Sequence, residues 1–301
     1  MPGEVTALLA AMSYAVSNLL VRKGQKDTHP ADNGLFPILV ITGFILLSYL
    51  LIDYVRDPSP MIRSNRWLQG VEFCALSGLI ATLLGRLALY RAIAKIGATR
   101  GSIVAAMSPL ITLGIAITVL QERLNMRDVT GIVMLLSGVL LLLMERKLFP
   151  TRFSPGLFVQ NGIWLALWAT LFQGVGYAFR KIGMQGQIEP AFAGVIDTFA
   201  ALMAYILILA FLGKLKSYLS YYLTHINLYI ISAGFMMATA VFLFFEAVSD
   251  VPVSTVSVIM GSQPVIVALL AGIFMNSLER LTWVTAVSAG LVSVGVILLG
   301  I

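Results

Sequence analysis

"SIVAAMSPLITLGIAITVLQERL", residues 102–124, returns further along the chain as "SVIMGSQPVIVALLAGIFMNSLERL", residues 257–281. Each is an apolar run with a proline seven residues after its opening serine, and each closes on Glu-Arg-Leu. A proline inside a helical run removes an amide donor and displaces the carbonyl four residues earlier, here those of Ala105 and Met260. Two such interruptions at matching places mark a duplicated unit.

The duplication extends outward from these segments. "VRKG" (21–24) answers "FRKIG" (179–183), and "HPADNG" (29–34) answers "EPAFAG" (189–194). Ala92 pairs with Ala247 and Pro109 with Pro264 at one offset; a two-residue insertion then sets Glu122-Arg123-Leu124 over Glu279-Arg280-Leu281. The repeat divides the chain into residues 1–147 and 158–301, joined by residues 148–157 in the Pro-bearing basic stretch "ERKLFPTRFSPG".

Hydrophobic residues make up 59% of the 301 and charged residues 11%, with a mean hydropathy of +0.93. Soluble domains are nearer ~45–50% apolar, so the chain belongs in a bilayer. A span takes roughly 20 apolar residues. Apolar runs bounded by charges give ten spans, near residues 4–21, 33–52, 67–91, 99–120, 126–144, 158–179, 191–212, 226–247, 254–275 and 282–300. Five spans fall in each half. An odd number returns the chain to the opposite face, so the second half enters the membrane upside down relative to the first. The expected fold is all-α and integral to the membrane, ten helices in two inverted five-helix repeats.

The net charge of +6 comes from Lys and Arg spread singly or in pairs between apolar runs, which argues against a nucleic-acid surface. Basic residues are more numerous in loops opposite the termini, which tilts both termini to the outside; Arg22-Lys23 and Arg180-Lys181 fall on opposite sides and cancel. Cys74 is the single cysteine, and His29 and His225 lie in separate loops, so no disulfide, thiolate site or imidazole metal site is expected. No Gly-x-x-x-x-Gly-Lys loop or His-Glu-x-x-His motif is present; neither ATP hydrolysis nor intramembrane zinc catalysis is indicated, and no cofactor is expected.

The paired blocks "YRAIAKIGATRGSIVAAMSPLITLGIA…QERL" and "FFEAVSDVPVSTVSVIMGSQPVIVALLAG…LERL", with glycine-rich closing runs "GIVMLLSGVLLLL" and "SAGLVSVGVILL", resemble the ten-span EamA-type members of the drug/metabolite transporter superfamily over essentially the whole chain. That resemblance implies a carrier of small organic solutes, in many members an exporter of amino acids or other metabolites, with a central cavity between the halves. Gln121 departs from the glycine common before the glutamate.

Several residues are candidates for the cavity. Pro109 and Pro264 are hinge candidates, and Ser108, Ser262 and Gln263 bring polar groups to those weak points. Tyr14 and Asn18 share a face of the first span; Gln173 and Tyr177 do so on the sixth, near-equivalent in the repeat, with Trp168 and Trp164 beside them. Such faces suit a solute with both apolar and hydrogen-bonding parts, or alternatively helix packing and an interfacial aromatic belt. Arg86 and Tyr90 share a face of the third span; Arg86 is positioned to hold a substrate carboxylate, to pair with Asp197, or to snorkel to the headgroups. Asp197, two turns inside the seventh span, and Glu246, at the end of the eighth, are candidates for proton coupling or for plain structural charges. Glu122, Arg123, Glu279 and Arg280 are placed as gate or anchor charges at opposite faces.

The function expected is secondary transport, as an exporter of a small metabolite such as an amino acid, by alternating access. A flippase for a lipid or amphipathic cargo is the alternative. The surroundings expected are the bilayer, a small-molecule substrate, a monomer or homodimer, and a bacterial inner membrane.

Overall fold

A computed structural model describes residues 2–29, 32–56, 58, 64–119, 162–274 and 282–300, with scattered helical positions between 126 and 141. Every regular element among them is helical. In chain order these are α1 (Gly3–Gly24), α2 (Leu35–Arg56), α3 (Trp67–Ile96), α4 (Ala98–Ala105), α5 (Ser108–Thr118), α6 (Gly162–Met184), α7 (Pro190–Phe211), α8 (Leu215–Thr224), α9 (Leu228–Asp250), α10 (Val253–Met260), α11 (Gln263–Phe274) and α12 (Trp283–Gly300). Counting α4–α5 and α10–α11 as one span each, eight are long and apolar enough to cross a membrane, and Trp283–Gly295 is a shorter apolar helix. The run near 126–144 lies largely outside the described residues.

Local chemistry sets the boundaries. Pro190 opens α7 while the Glu189 carboxylate accepts from the amides of Ala191 (3.0 Å) and Phe192 (2.9 Å). The Asn227 side chain does the same for Tyr229 (2.8 Å) at the start of α9. These acceptors satisfy amides that a helix leaves unbonded in its first turn. Gly97, at φ +89°, ends α3 in a conformation that penalises a side chain.

The outer surface is apolar, and the interior, largely apolar too, holds a cluster of polar and charged side chains. Phe44, Val55, Leu207 and Phe211 face outward, while Asn18, Thr82, Arg86, Gln173, Arg180 and Asp197 are all buried. Polar groups are turned inward because they would go unsatisfied facing an apolar solvent.

Helix directions follow from which residues meet. Gly3 abuts Val251, Ser17 donates to the Ala233 carbonyl at 2.9 Å, and Gly24 abuts Ile230, so α1 and α9 are antiparallel. On the other side of the bundle Gly70 lies by Gly183, Ala81 by Gly176 and Ile96 by Gly162, so α3 and α6 are antiparallel too. Gly43 against Phe199 and Leu46 against Gly194 make α2 antiparallel to α7. Meanwhile Ile41–Gly234 and Tyr49–Phe242 run α2 parallel to α9, and Gly70–Ile188 and Gly78–Asp197 run α3 parallel to α7. Chained together, these contacts make α6 point opposite to α1. Each half therefore lends its first helix to the third span of the other.

The two proline-bearing spans break as the repeat predicts. Between α4 and α5 the Met107 amide reaches the Val104 carbonyl (3.1 Å) and Leu110 reaches Met107 (3.0 Å). Between α10 and α11 Ser262 reaches Ile259 (3.0 Å) and Val265 reaches Ser262 (3.1 Å). These are three-residue closures replacing the four-residue ladder, at the same place relative to Pro109 and Pro264.

The stretch "GKLKSYLSYYLTH", residues 213–225, which falls between the seventh and eighth spans, contains the helix α8. Its helical spacing buries Tyr218 and turns Tyr222 toward the α1–α2 connection. There the Tyr222 hydroxyl donates to Asp32 at 2.6 Å, and the His29 ring lies 4.1 Å from that of Tyr218. Asp32 also accepts from the Phe36 amide at 2.9 Å. Burial pushes the Asp32 carboxyl above its usual range, with the Tyr222 hydroxyl bond opposing the shift.

Candidate functional site

The buried charges converge where α1, α3, α6, α7 and α9 meet. Residues Gly78–Gly85 of α3 are wound as a π-helix, a form concentrated at functional sites. It presents Thr82 to Asp197 of α7, whose carboxylate is completely buried. Thr82 donates to Asp197 Oδ2 at 2.5 Å, and the Ser77 hydroxyl hydrogen-bonds Oδ1. Arg180 of α6 completes the shell, with Nε 3.1 Å from Oδ1 and Nη2 3.1 Å from Oδ2. This is a fork-on-carboxylate ion pair, which orients as well as attracts.

Arg180 is 2% exposed. Its Nη2 also donates to Thr82 at 2.9 Å and its Nη1 reaches the Tyr14 hydroxyl at 3.5 Å, while its Cζ lies 4.9 Å from the Phe244 ring centroid and 5.3 Å from that of Phe245. By its apolar run the sixth span ends before Arg180, which places Arg180 among the charges at a membrane face. Instead α6 runs on to Met184, and it is Lys181 that reaches the end of α9, donating to the carbonyls of Val248 (2.8 Å) and Val251 (3.0 Å). Arg22 makes the corresponding cap at the far end of the bundle, on the Ala94 carbonyl of α3 (3.0 Å). The spacing Gln173, Tyr177, Arg180 was the available signal, since these positions share one stripe of α6.

Arg86 is 6% exposed, so it does not snorkel; its Cζ lies 4.3 Å from the centroid of the Tyr14 ring. It does not pair with Asp197, which is committed to Arg180, and among the described residues no carboxylate lies within ion-pair distance of it. A desolvated cation–π contact contributes about 2 kcal/mol or more, against several kcal/mol to desolvate the ion. Tyr14 thus links both guanidinium groups, by its ring to one and its hydroxyl to the other. Asn18, one turn further along α1, and Gln173 are buried, and among the described residues Asn18 Oδ1 and Gln173 Nε2 have no hydrogen-bond partner. Gln173 faces Gly85, the residue before Arg86. Tyr90 and Tyr177 are buried on the same helices, the latter ring 4.7 Å from that of Phe244.

The other sequence candidates lie elsewhere. Trp168 is 53% exposed and stacks on Phe172 on the outer surface, and Trp164 is exposed as well. Ser108 is buried, with its carbonyl accepting from Thr112 at 3.2 Å. Ser262 is half-buried and bonded to the Ile259 carbonyl, and Gln263 donates to the Met260 sulfur at 3.6 Å. Glu246 is half-buried near the end of α9, close to Asp250 and Glu189 rather than to the central pair. Glu122, Arg123, Glu279 and Arg280 lie outside the described residues. No grouping suited to a metal ion occurs among the described residues.

Two similar halves of opposite direction, an apolar exterior and a charged interior define a multi-pass helical membrane protein organised around a sequestered polar centre. The chain belongs to the EamA-like transporter family, within the drug/metabolite transporter superfamily: the family profile matches twice, over residues 1–144 and 160–301. It is accordingly a membrane transporter. Among solved structures it is similar to one described only as "Crystal structure of protein", with 17% identity, a TM-score of 0.64, and coverage of 98% of this chain and 96% of that one. At that identity the likeness concerns the fold alone. No curated protein matches.

Proposed function

We propose that this chain is a secondary active transporter that exports a small organic metabolite, amino acids being one candidate class, by alternating access. In this reading ten spans form two inverted five-helix repeats, the halves falling at residues 1–147 and 158–301. The observation that carries it is the matched pair of helix breaks, at residues 106–107 and 261–262, in spans whose halves run oppositely. Breaks related by an in-plane two-fold axis let each half adopt the other's shape, so one inward-open and one outward-open form have comparable energy. Pro109 and Pro264 keep those positions from closing into regular helix.

The charged centre supplies the coupling element. Asp197 accepts a proton only by surrendering Arg180, because its oxygens are occupied by the guanidinium, Ser77 and Thr82. Proton uptake and rearrangement of α3, α6 and α7 are then one event. Glu246, half-buried near the end of α9, is the second carboxylate proposed for proton coupling. The bacterial inner membrane is the setting proposed.

The test is counterflow in proteoliposomes preloaded with the polar metabolite extract of the expressing cells. Solutes added outside in labelled form should accumulate transiently against their gradient when the same solute is present inside. Simple equilibration without acceleration by internal solute would identify a channel instead and overturn the alternating-access reading.

A further inference from the structure

The two buried arginines are not equivalent, and the difference points to the charge of the cargo. Arg180 is matched by Asp197 through two hydrogen bonds. Arg86, nearly as buried, has among the described residues only the face of Tyr14 beneath it. The central set therefore carries two cations and one anion, and the surplus positive charge resides on Arg86. A buried guanidinium without a counter-ion is costly, and a π face does not replace a carboxylate's paired acceptors. Two further demands are unmet among the described residues: Gln173 Nε2, on the side chain that faces Gly85, lacks an acceptor, and Asn18 Oδ1, one turn along α1 from Tyr14, lacks a donor.

We infer that Arg86 is the substrate anchor and that the transported solute is a small organic anion, a carboxylate or phosphate ester, that also carries a hydrogen-bond donor. The anion lies on the Arg86 fork and receives the Gln173 amide. Its donor group reaches Asn18, and Tyr14 forms the floor. A cation is excluded because Asp197, the only carboxylate at the centre among the described residues, is already saturated. This rests on the transporter reading above and assigns that transporter its substrate class.

The experiment sorts the solutes exchanged by the extract-loaded liposomes according to charge, using mass spectrometry, for wild type, Arg86→Gln and Arg86→Lys. Wild-type exchange should be confined to anions, with carboxylates and phosphate esters scored separately to distinguish the two sources. Arg86→Gln should lower anion exchange by about tenfold or more, as loss of a charged hydrogen-bonding partner does. Arg86→Lys, which keeps the charge but not the fork, should fall between. Thermal melting of Arg86→Gln should be unchanged or raised, because the variant removes an uncompensated ion; a merely structural arginine would lower it. Exchange restricted to cations or neutral solutes, or anion exchange indifferent to Arg86→Gln, would overturn the inference and leave the carrier standing. Absence of exchange for every solute in the wild type would overturn both.

Discussion

Asp197→Asn is expected to destabilise the protein by about 3–5 kcal/mol, the characteristic cost of stripping one partner from a buried ion pair. The replacement is nearly isosteric, so no cavity is opened and the loss reports charge. Arg180, 2% exposed, would be left with Thr82, the Tyr14 hydroxyl and two phenylalanine faces, none of which carries a countercharge. The double variant Arg180→Met/Asp197→Leu should recover most of that loss, because removing both ions removes the need for compensation. Melting of the purified protein in detergent across the single and double variants provides the comparison. A single variant as stable as wild type would mean that water or lipid headgroups reach Arg180, contrary to the packing described.

Gly78→Ala should produce the second large effect. Gly78 begins the π-helical segment of α3 at its closest approach to α7. A Cβ there would overlap the carbonyl oxygen of Asp197 and stand 2.9 Å from its carbon. A backbone carbonyl cannot rotate aside as a side chain can, so α7 must move away. Overpacking of this kind costs about 1–3 kcal/mol or more, and here the displaced residue is the one that holds Arg180. Loss of stability and loss of exchange should therefore appear together. Gly114→Ala is the control, since nothing lies within 4 Å of its added carbon; it should melt like wild type. Equal melting of the two variants would contradict the α3–α7 contact.

Much of the architecture was legible because it rests on constraints that act locally. The apolar runs announce the spans, and the prolines announce the breaks two to three residues ahead of them. Duplicated motifs then announce the two halves. The central ion pair was harder to read for a physical reason. The first charge after an apolar run marks the end of a span only where charge means contact with water. Arg180 instead meets a carboxylate inside the bundle and ends nothing; α6 continues for a further turn and it is Lys181 that reaches a helix end. Asp197 stood out in the sequence as a carboxylate inside a span, yet its partners come from α3 and α6 and no spacing rule joins them. Trp168 shows the opposite failure. Its i, i+4 relation to Trp164 is a genuine helical face, but that face points outward. The connector helix α8 was concealed by its basic composition, although Leu215, Tyr218 and Tyr222 already sit three and four residues apart.

The claim on which all else depends is that α1 and α6 point through the membrane in opposite senses. Single cysteines at Asp27, just beyond α1, and at Gln185, just beyond α6, test it directly. Both sites are exposed, and the natural Cys74 is buried. With a membrane-impermeant maleimide added to intact cells, one of the two should label at once and the other only after permeabilisation. Labelling of both from the same side would contradict the opposed halves, and alternating access built on them would go with it.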